Sequence, residues 1–492
     1  MSNPQQPHPQ AVSPHTNRWR AFALLAVAYF MTTVDLTIVN VSLPTIGRDL
    51  HFSETNLQWV ATAYALTFGG FLLLGGRFAD LLGRRRILTL GLGVFTAASL
   101  GCALAGGEAV LIAMRGAQGL GAALMIPAAL SIVMNMFREG AERNRALGIW
   151  GGLGAAGGTV GLIAGGIITR YIGWQYIFYL NVPVGVAALA LAPRIVPDSR
   201  ISAGRRRFDL AGAISGTGGL VLLVDALSQA PQYGWGATRT IALLGASAAV
   251  LAAFIVIESR AKDPIVPLSI FRLRTLAAAN LAALLLGGSF FAFVFAGTLY
   301  MQEVLHFSAL QTGAAWLAGS VTSMLLAVVS QMLVTRIGAK VVMSIGMTLI
   351  GTGIVWATQV PVHAHFLANL AGPFVVAGAG TAFAFIPISV AALEGVSERQ
   401  SGLASGLLNT STQFGAAIGT AIASSVLASA TNTLLRAGDA APTALTGGFH
   451  RTFWVLAAIA LIAPPATLVL RRTERVVNSD SRETQRALPA TN

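Results

Sequence analysis

The sequence predicts an all-α polytopic membrane protein, on three observations: its composition, the spacing of its apolar runs and the placement of its positive charge. Of 492 residues, 54% are hydrophobic and only 10% charged, against about 25% charged in an ordinary soluble domain. Fourteen spans of about 20 residues would use roughly 280 positions, which leaves short loops and no room for a catalytic head domain. The one cysteine, Cys102, permits neither an intrachain disulfide nor a thiolate metal cluster.

Residues 1–17 are polar and rich in Pro, Gln and His, which predicts a disordered tail. The apolar run from Ala21 to about Pro44 is too long for a signal-peptide core and leads straight into further spans, so it reads as a retained first helix. Hydropathy then places fourteen helices, centred near residues 32, 67, 96, 122, 157, 186, 219, 248, 288, 322, 348, 378, 416 and 460. With a cytoplasmic N-terminus, 26 of the 32 Lys and Arg fall on the cytoplasmic side. Five (Arg48, Arg170, Arg239, Arg436 and Arg451) fall outside, and Arg115 lies within a span. That asymmetry is the positive-inside pattern, and an odd number of spans would scramble it. Both termini are therefore expected in the cytoplasm and the chain in the inner (plasma) membrane. The net charge of +13 is accounted for by topology and anionic lipid, so no nucleic-acid partner is called for.

The chain also repeats itself. Asp80-Leu-Leu-Gly83-Arg84-Arg85 is echoed by Thr335-Arg-Ile-Gly338-Ala-Lys340, Gly121 to Pro127 by Thr381 to Pro387, and Glu142-Arg143 by Glu398-Arg399. The order is kept and the spacing nearly constant, so spans 1–6 correspond to spans 9–14 in the same orientation. The expected organisation is a cytoplasmic tail at 1–17, a six-helix bundle at 18–200, two inserted helices at 201–265, a second six-helix bundle at 266–472 and a tail at 473–492. Parallel duplication favours a central cavity that opens alternately to each side.

Four segments carry mechanism. After the second span stands Gly75-Gly76-Arg77-Phe78-Ala79-Asp80-Leu81-Leu82-Gly83-Arg84-Arg85-Arg86, a carboxylate among four arginines, able to switch partners or cap a helix. The first span contains Val34-Asp35-Leu-Thr37-Ile-Val-Asn40-Val-Ser-Leu-Pro44, and the fourth Arg115-Gly116-Ala-Gln118-Gly119. The fifth is rich in glycine: Gly148, Gly157, Gly161, Gly165 and Gly166, a spacing that admits a facing helix at backbone distance. An arginine within a span costs about 2.5–3.5 kcal/mol on insertion scales unless paired or wet. At 1.5 Å per residue, Asp35 lies about 22 Å from the cytoplasmic start of its helix and Arg115 about 10 Å from the outer start of its own. Both depths fall in the outer half of a core about 30 Å thick.

These segments resemble signatures of the major facilitator superfamily, and specifically its fourteen-helix drug:proton antiporter branch. Gly76, Asp80, Gly83, Arg84 and Arg85 match the loop signature between the second and third helices. The Asp35–Pro44 segment resembles the branch's Asp-x-Thr-Ile-Val-Asn-Val-Ala-Leu-Pro. Trp174 to Gly185, with Phe178, Asn181 and Pro183, resembles its Trp-Arg-Trp-Ile-Phe-x-Ile-Asn-x-Pro-x-Gly. The glycines of span five resemble the antiporter motif, with Leu162 standing where that motif has proline; the loss removes an obligate helix defect.

The resemblance implies a major facilitator fold and proton-coupled efflux of small, amphipathic or aromatic molecules, such as drugs and antibiotics, by alternating access. It implies electrostatic coupling between Asp35 and Arg115 in a wall of the central cavity, with Asp35 facing water there and carrying the proton. The loop cluster would latch one state, and the glycines would pack helices. Family geometry offers Asn40, Trp59, Tyr64, Asn280, Phe290, Phe291, Phe293, Phe383 and Phe385 as candidate substrate contacts. No cofactor is expected beyond the proton gradient. The expected partners are the substrate, protons and lipid, with room for a periplasmic adaptor on an otherwise monomeric transporter.

Export of a specific endogenous metabolite or siderophore is the alternative within transport. A membrane enzyme would need His, Asp or Glu clustered at span depth, yet the seven histidines fall in the tail or expected loops. His363 and His365 are two ligands, not a metal site. No Gly-x4-Gly-Lys-Ser/Thr loop is present to bind ATP, and the C-terminal tail is too short for a signalling domain.

Overall fold

A computed structural model describes residues 15–137, 141–196, 209–261, 264–266, 268–394, 396 and 401–468. The tails expected at 1–17 and 473–492 lie outside these, except that the first helix begins at His15. Fourteen helices among the described residues are long and apolar enough to cross a membrane. They are α1 (His15–Asp49), α2 (Trp59–Leu82), α3 (Arg84–Ala103), α4 (Glu108–Met136), α5 (Ala141–Tyr171), α6 (Gln175–Ile195) and α7 (Leu210–Tyr233). The remainder are α8 (Thr238–Arg260), α9 (Arg274–Val304), α10 (Ala309–Ile337), α11 (Ala339–Ala357), α12 (Phe366–Leu393), α13 (Ser401–Arg436) and α14 (Ala441–Leu468). The last helix starts earlier than its expected centre near 460 implied, because Ala441–Arg451 joins it and carries Arg451 on the helix.

Turns between spans follow backbone chemistry. The α2–α3 turn is made by Gly83 at φ +102°, and the α10–α11 turn by Gly338 at φ +87°, a region that L side chains avoid. Both stand at the same point of the sequence repeat. Ser308 opens α10 with a capping box to Gln311, which satisfies donors at the helix start.

The repeat extends to packing. A Cβ on Gly119 of α4 would meet the Tyr64 carbonyl of α2 at 2.4 Å, and one on Gly378 of α12 the Gly319 carbonyl of α10 at 2.2 Å. Gly121 packs on the backbone of Gly91 and Phe95, as Gly380 does on Gly346 and Ile350. Gly161 and Gly165 of α5 approach the Val34 and Ile38 carbonyls of α1 as Gly415 and Gly419 of α13 approach Leu284 and Gly288 of α9. Glycine ridges let helices meet at backbone distance where no aqueous hydrophobic force is available.

The two halves meet along α5–α10 and α2–α13. Near the face opposite the chain termini, a Cβ on Gly166 would lie 2.7 Å from the Ala309 carbonyl and one on Gly313 2.4 Å from that of Leu162. There Gln302 of α9 donates to the Val41 carbonyl at 2.8 Å. Further along the same phase, Met324 and Val328 are exposed and Gly158 faces open space. The close backbone approach of α5 to α10 is thus found at the end opposite the chain termini. The inserted helices pack on each other through Gly219 and Leu251, while α7 covers the α2–α13 seam with Val224 against Ala65, Leu66, Ala417 and Ala421.

Candidate functional site

Five helices of the first half converge on Asp35, which is 1% exposed. Arg115 Nη1 donates to its Oδ2 at 2.5 Å. Asn181 of α6 donates to Oδ1 at 2.8 Å and Gln118 of α4 at 3.2 Å. Arg115 and Gln118 share a helix face by their i, i+3 spacing. Arg115 also donates through Nε to the Val60 carbonyl at 2.7 Å and through Nη1 to Gln118 Oε1 at 2.8 Å. Its guanidinium lies 4.6 Å from the Tyr64 ring centroid and 5.8 Å from that of Phe178, within cation–π range. Gln118 is itself oriented by donating to Ser99 Oγ at 2.7 Å and accepting from Cys102 at 3.4 Å.

Glycines set the position of the carboxylate. A Cβ on Gly157 would fall 2.0 Å from Thr33 Oγ1, and one on Gly161 2.0 Å from Thr37 Oγ1. The α5 ridge therefore seats α1 on both sides of Asp35. With Leu162 in place of proline, α5 runs unbroken from Ala141 to Tyr171. Gly148 lies in that helix, but its surroundings are outside the described residues.

Between the halves lies a cavity of about 40 Å³, room for about three waters. Its wall combines Leu36, Asn40, Thr62 and Arg115 from the first half with Phe291, Phe295, Gln413 and Thr420 from the second. One expectation is corrected: Asp35 does not face this cavity. Its helical neighbour Leu36 does, and Arg115 stands between the carboxylate and the space. The reason is the glycine ridge, which takes the Thr33 and Thr37 side of α1 onto α5 and leaves Asp35 turned toward Arg115, Gln118 and Asn181 of α4 and α6. Two buried polar atoms of the cavity-lining residues, Thr62 Oγ1 and Gln413 Nε2, have no hydrogen-bond partner among the described residues.

Of the candidate substrate contacts, the structure brings Asn40 and Phe291 to the cavity. Tyr64 lies beneath Arg115, fully buried. Phe290 packs edge-on to Phe291 and against the core. Trp59 packs with α7 and α13 instead. Asn280 accepts from Ser411 at 2.8 Å and ties α9 to α13. Phe293 is sealed in an aromatic cluster with Trp316, Phe374 and Phe453. Phe383 backs onto Gly346 of α11, and Phe385 is 52% exposed. Sequence reasoning named Gln118 and Asn181 only as parts of motifs, and it missed Thr62, Phe295 and Gln413 altogether.

The loop signature makes contacts both within its own half and to the segment after α8. Gly76 sits 3.5 Å from Pro127 by its Cβ position. Arg84 is buried, and Arg85 donates to the Pro193 and Val196 carbonyls at the end of α6, at 3.3 and 3.4 Å. Arg77 donates to the Pro264 carbonyl at 2.8 Å. Asp80 lies in α2, with its side chain outside the described residues.

Duplicated bundles, inserted helices and a charged pair beside a shared cavity define a polytopic transporter. The family model of the Major Facilitator Superfamily matches residues 25–420, with a second match over 279–491, and the chain belongs to this family. It is 35% identical to the cephamycin export protein CmcT of Amycolatopsis lactamdurans, over 92% of this chain and 93% of that protein. It is 34% identical to the puromycin resistance protein pur8 of Streptomyces alboniger, over 93% and 91% of the two chains. The multidrug resistance protein Stp of Mycobacterium tuberculosis (strain CDC 1551 / Oshkosh) is 34% identical over 84% of this chain and 76% of its own. Among solved structures, an auto inhibited POT family peptide transporter superposes with a TM-score of 0.68 at 16% identity, covering 96% of this chain and 99% of that one. This likeness shows the shared fold.

Proposed function

We propose that the chain exports small amphipathic molecules, antibiotics among them, across the inner membrane in exchange for protons, with the terminal face in the cytoplasm. The charge asymmetry of the loops supports that orientation, and the relatives named for antibiotic export and resistance support the substrate class. The observation that carries the reading is Arg115, which holds Asp35 on one side and lines the shared cavity on the other.

The chemistry is competition for one guanidinium. An ionised Asp35 draws Arg115 back and leaves the cavity to a neutral or cationic ligand. Protonation of Asp35 removes the partner charge, and the freed cation then turns toward the cavity and disfavours that ligand. Ligand and proton thus exclude one another, which is the requirement for exchange; no covalent step is involved. Gly76, Asp80, Gly83, Arg84 and Arg85 serve as the latch that holds one of the two states. The transporter works on its small-molecule substrate as a monomer in lipid.

Everted vesicles test this. After energisation, a transported drug should collapse the pH gradient in vesicles carrying the native chain and leave it intact with Asp35→Asn at equal membrane level. Full gradient collapse by the Asp35→Asn protein would overturn the assignment.

A further inference from the structure

At the terminal-face end of the inserted helices, a second pair of carboxyl groups meets. Asp209 caps α7, its Oδ1 accepting the Gly212 N–H at 2.8 Å. Glu258, near the end of α8 and 2% exposed, accepts the Val266 N–H through Oε2 at 3.1 Å. Each group therefore has one oxygen engaged by backbone. The other oxygens, Asp209 Oδ2 and Glu258 Oε1, are buried and without a hydrogen-bond partner among the described residues. Both point into one gap. A Cβ on Gly212 would stand 2.6 Å from Glu258 Oε1 and 2.9 Å from Asp209 Oδ2, so glycine is what leaves the gap open.

The surroundings sharpen the requirement. Leu74 of α2, Ala213 of α7 and Ile265 form an apolar cluster against the pair's elements. Among the described residues, Arg77 of α2 is a cation within electrostatic reach of Glu258, and its Nη1 donates to the Pro264 carbonyl. Residues 264–266 present backbone and apolar groups to the site. Two carboxylates facing across a gap in such a place repel, and the facing oxygens, Oδ2 and Oε1, have no donor among the described residues. One proton resolves both faults, because one group then donates O–H and the other accepts.

We propose that Asp209 and Glu258 form a proton-binding site, distinct from Asp35, that holds one proton between Oδ2 and Oε1. The bound proton fastens α7 to α8. Through Val266 and Pro264 it also ties the inserted helices to Arg77 and the signature end of α2. The packed arrangement contains the proton, so its stabilisation is present at low pH and is lost as the pH on that face rises and the proton leaves. The inserted helices, of which α7 covers the α2–α13 seam, thereby sense proton activity at the terminal face.

The test uses the full chain in lipid nanodiscs, in an Asp35→Asn background so that the transport carboxylate adds no signal. The probes are the infrared C=O stretch of a protonated carboxyl group and the thermal unfolding midpoint across pH. The parent should show the band and lose midpoint as pH rises. Asp209→Asn and Glu258→Gln replace the shared proton with a permanent amide donor. Each should lack the band and keep the low-pH midpoint at high pH. Retention of the band in both variants, or a parent-like fall of midpoint with pH in both, would overturn the proposal. Loss of the band on adding sodium chloride at fixed pH, with a raised midpoint and no effect of choline chloride, would also overturn it by making sodium the ligand. None of these readouts depends on drug export, so this site and the transport reading fail separately.

Discussion

Arg115 Nη1 stands 2.5 Å from Asp35 Oδ2, yet of the two residues only Arg115 reaches the cavity between the halves. A buried charge pair of this kind is costly to break from one side. Removing one partner strands the other, typically at about 3–5 kcal/mol. Arg115→Gln should therefore lower membrane yield and melting temperature sharply, and Asp35→Asn should do so less, because the Val60 carbonyl and Gln118 still receive the guanidinium. The double variant, with no buried charge, should recover the yield lost by Arg115→Gln without recovering exchange. Fluorescence-detected size exclusion and vesicle pH gradients measure the two effects. Native exchange by Arg115→Gln would remove the pair from the mechanism.

Competition for Arg115 gives the coupling a sign that depends on ligand charge. A cationic or neutral ligand keeps the guanidinium on Asp35 and should release protons into weakly buffered medium when added to purified protein. An anionic ligand would draw Arg115 off Asp35 and should cause proton uptake instead. A pH-indicator dye reads both. Equal release by both ligand classes would show that the ligand acts on Asp35 by some route other than Arg115.

Thr62 and Gln413 contribute polar atoms that have no hydrogen-bond partner among the described residues. A buried unsatisfied group costs about 1–3 kcal/mol, so Thr62→Val and Gln413→Leu should be neutral or raise the melting temperature. Ligands that accept hydrogen bonds should lose about tenfold in affinity, or roughly 1.4 kcal/mol, while purely apolar ligands should be unaffected. Uniform losses across both ligand sets in binding titrations would point to a change of cavity shape rather than the loss of a polar contact.

The fourteen spans were readable because each needs a long apolar run, and the pairing of Asp35 with Arg115 followed from depth arithmetic on two helices. The direction in which Asp35 faces was not readable, since it depends on which side of α1 the α5 glycines occupy. The aromatic candidates show the same limit: Phe291 and Phe293 are two residues apart, yet one lines the cavity and the other is sealed among Trp316, Phe374 and Phe453. Gln413 gave no signal beyond being polar within a span. The repeat explains where chemistry was placed. In the register that pairs Gly161 with Gly415, Asp35 falls opposite Leu285. In the register that pairs Gly119 with Gly378, Arg115 falls opposite Phe374. The second half keeps the glycine packing and replaces the charged pair with apolar side chains.

That duplication separates two roles for the α5 glycines. Gly415 and Gly419 make the same backbone approach with apolar Leu285 and Phe374 at the positions matching Asp35 and Arg115, so the ridge is a packing device, and it affects exchange only through what it holds on α1. A side chain at Gly161 would meet Thr37 Oγ1 at 2.0 Å and the Val34 carbonyl at 2.7 Å, the residues flanking Asp35. The backbone carbonyl cannot rotate away, so Gly161→Val should push α5 off α1, cost about 1–3 kcal/mol as overpacking does, and abolish exchange. Gly158 is the control, since nothing lies within 4 Å of its Cβ position. Gly158→Ala should be neutral or gain up to about 1 kcal/mol from helix propensity. Melting temperature and vesicle pH gradients on both variants decide the point: equal losses at positions 158 and 161 would mean that glycine content, rather than contact with α1, is what the helix requires.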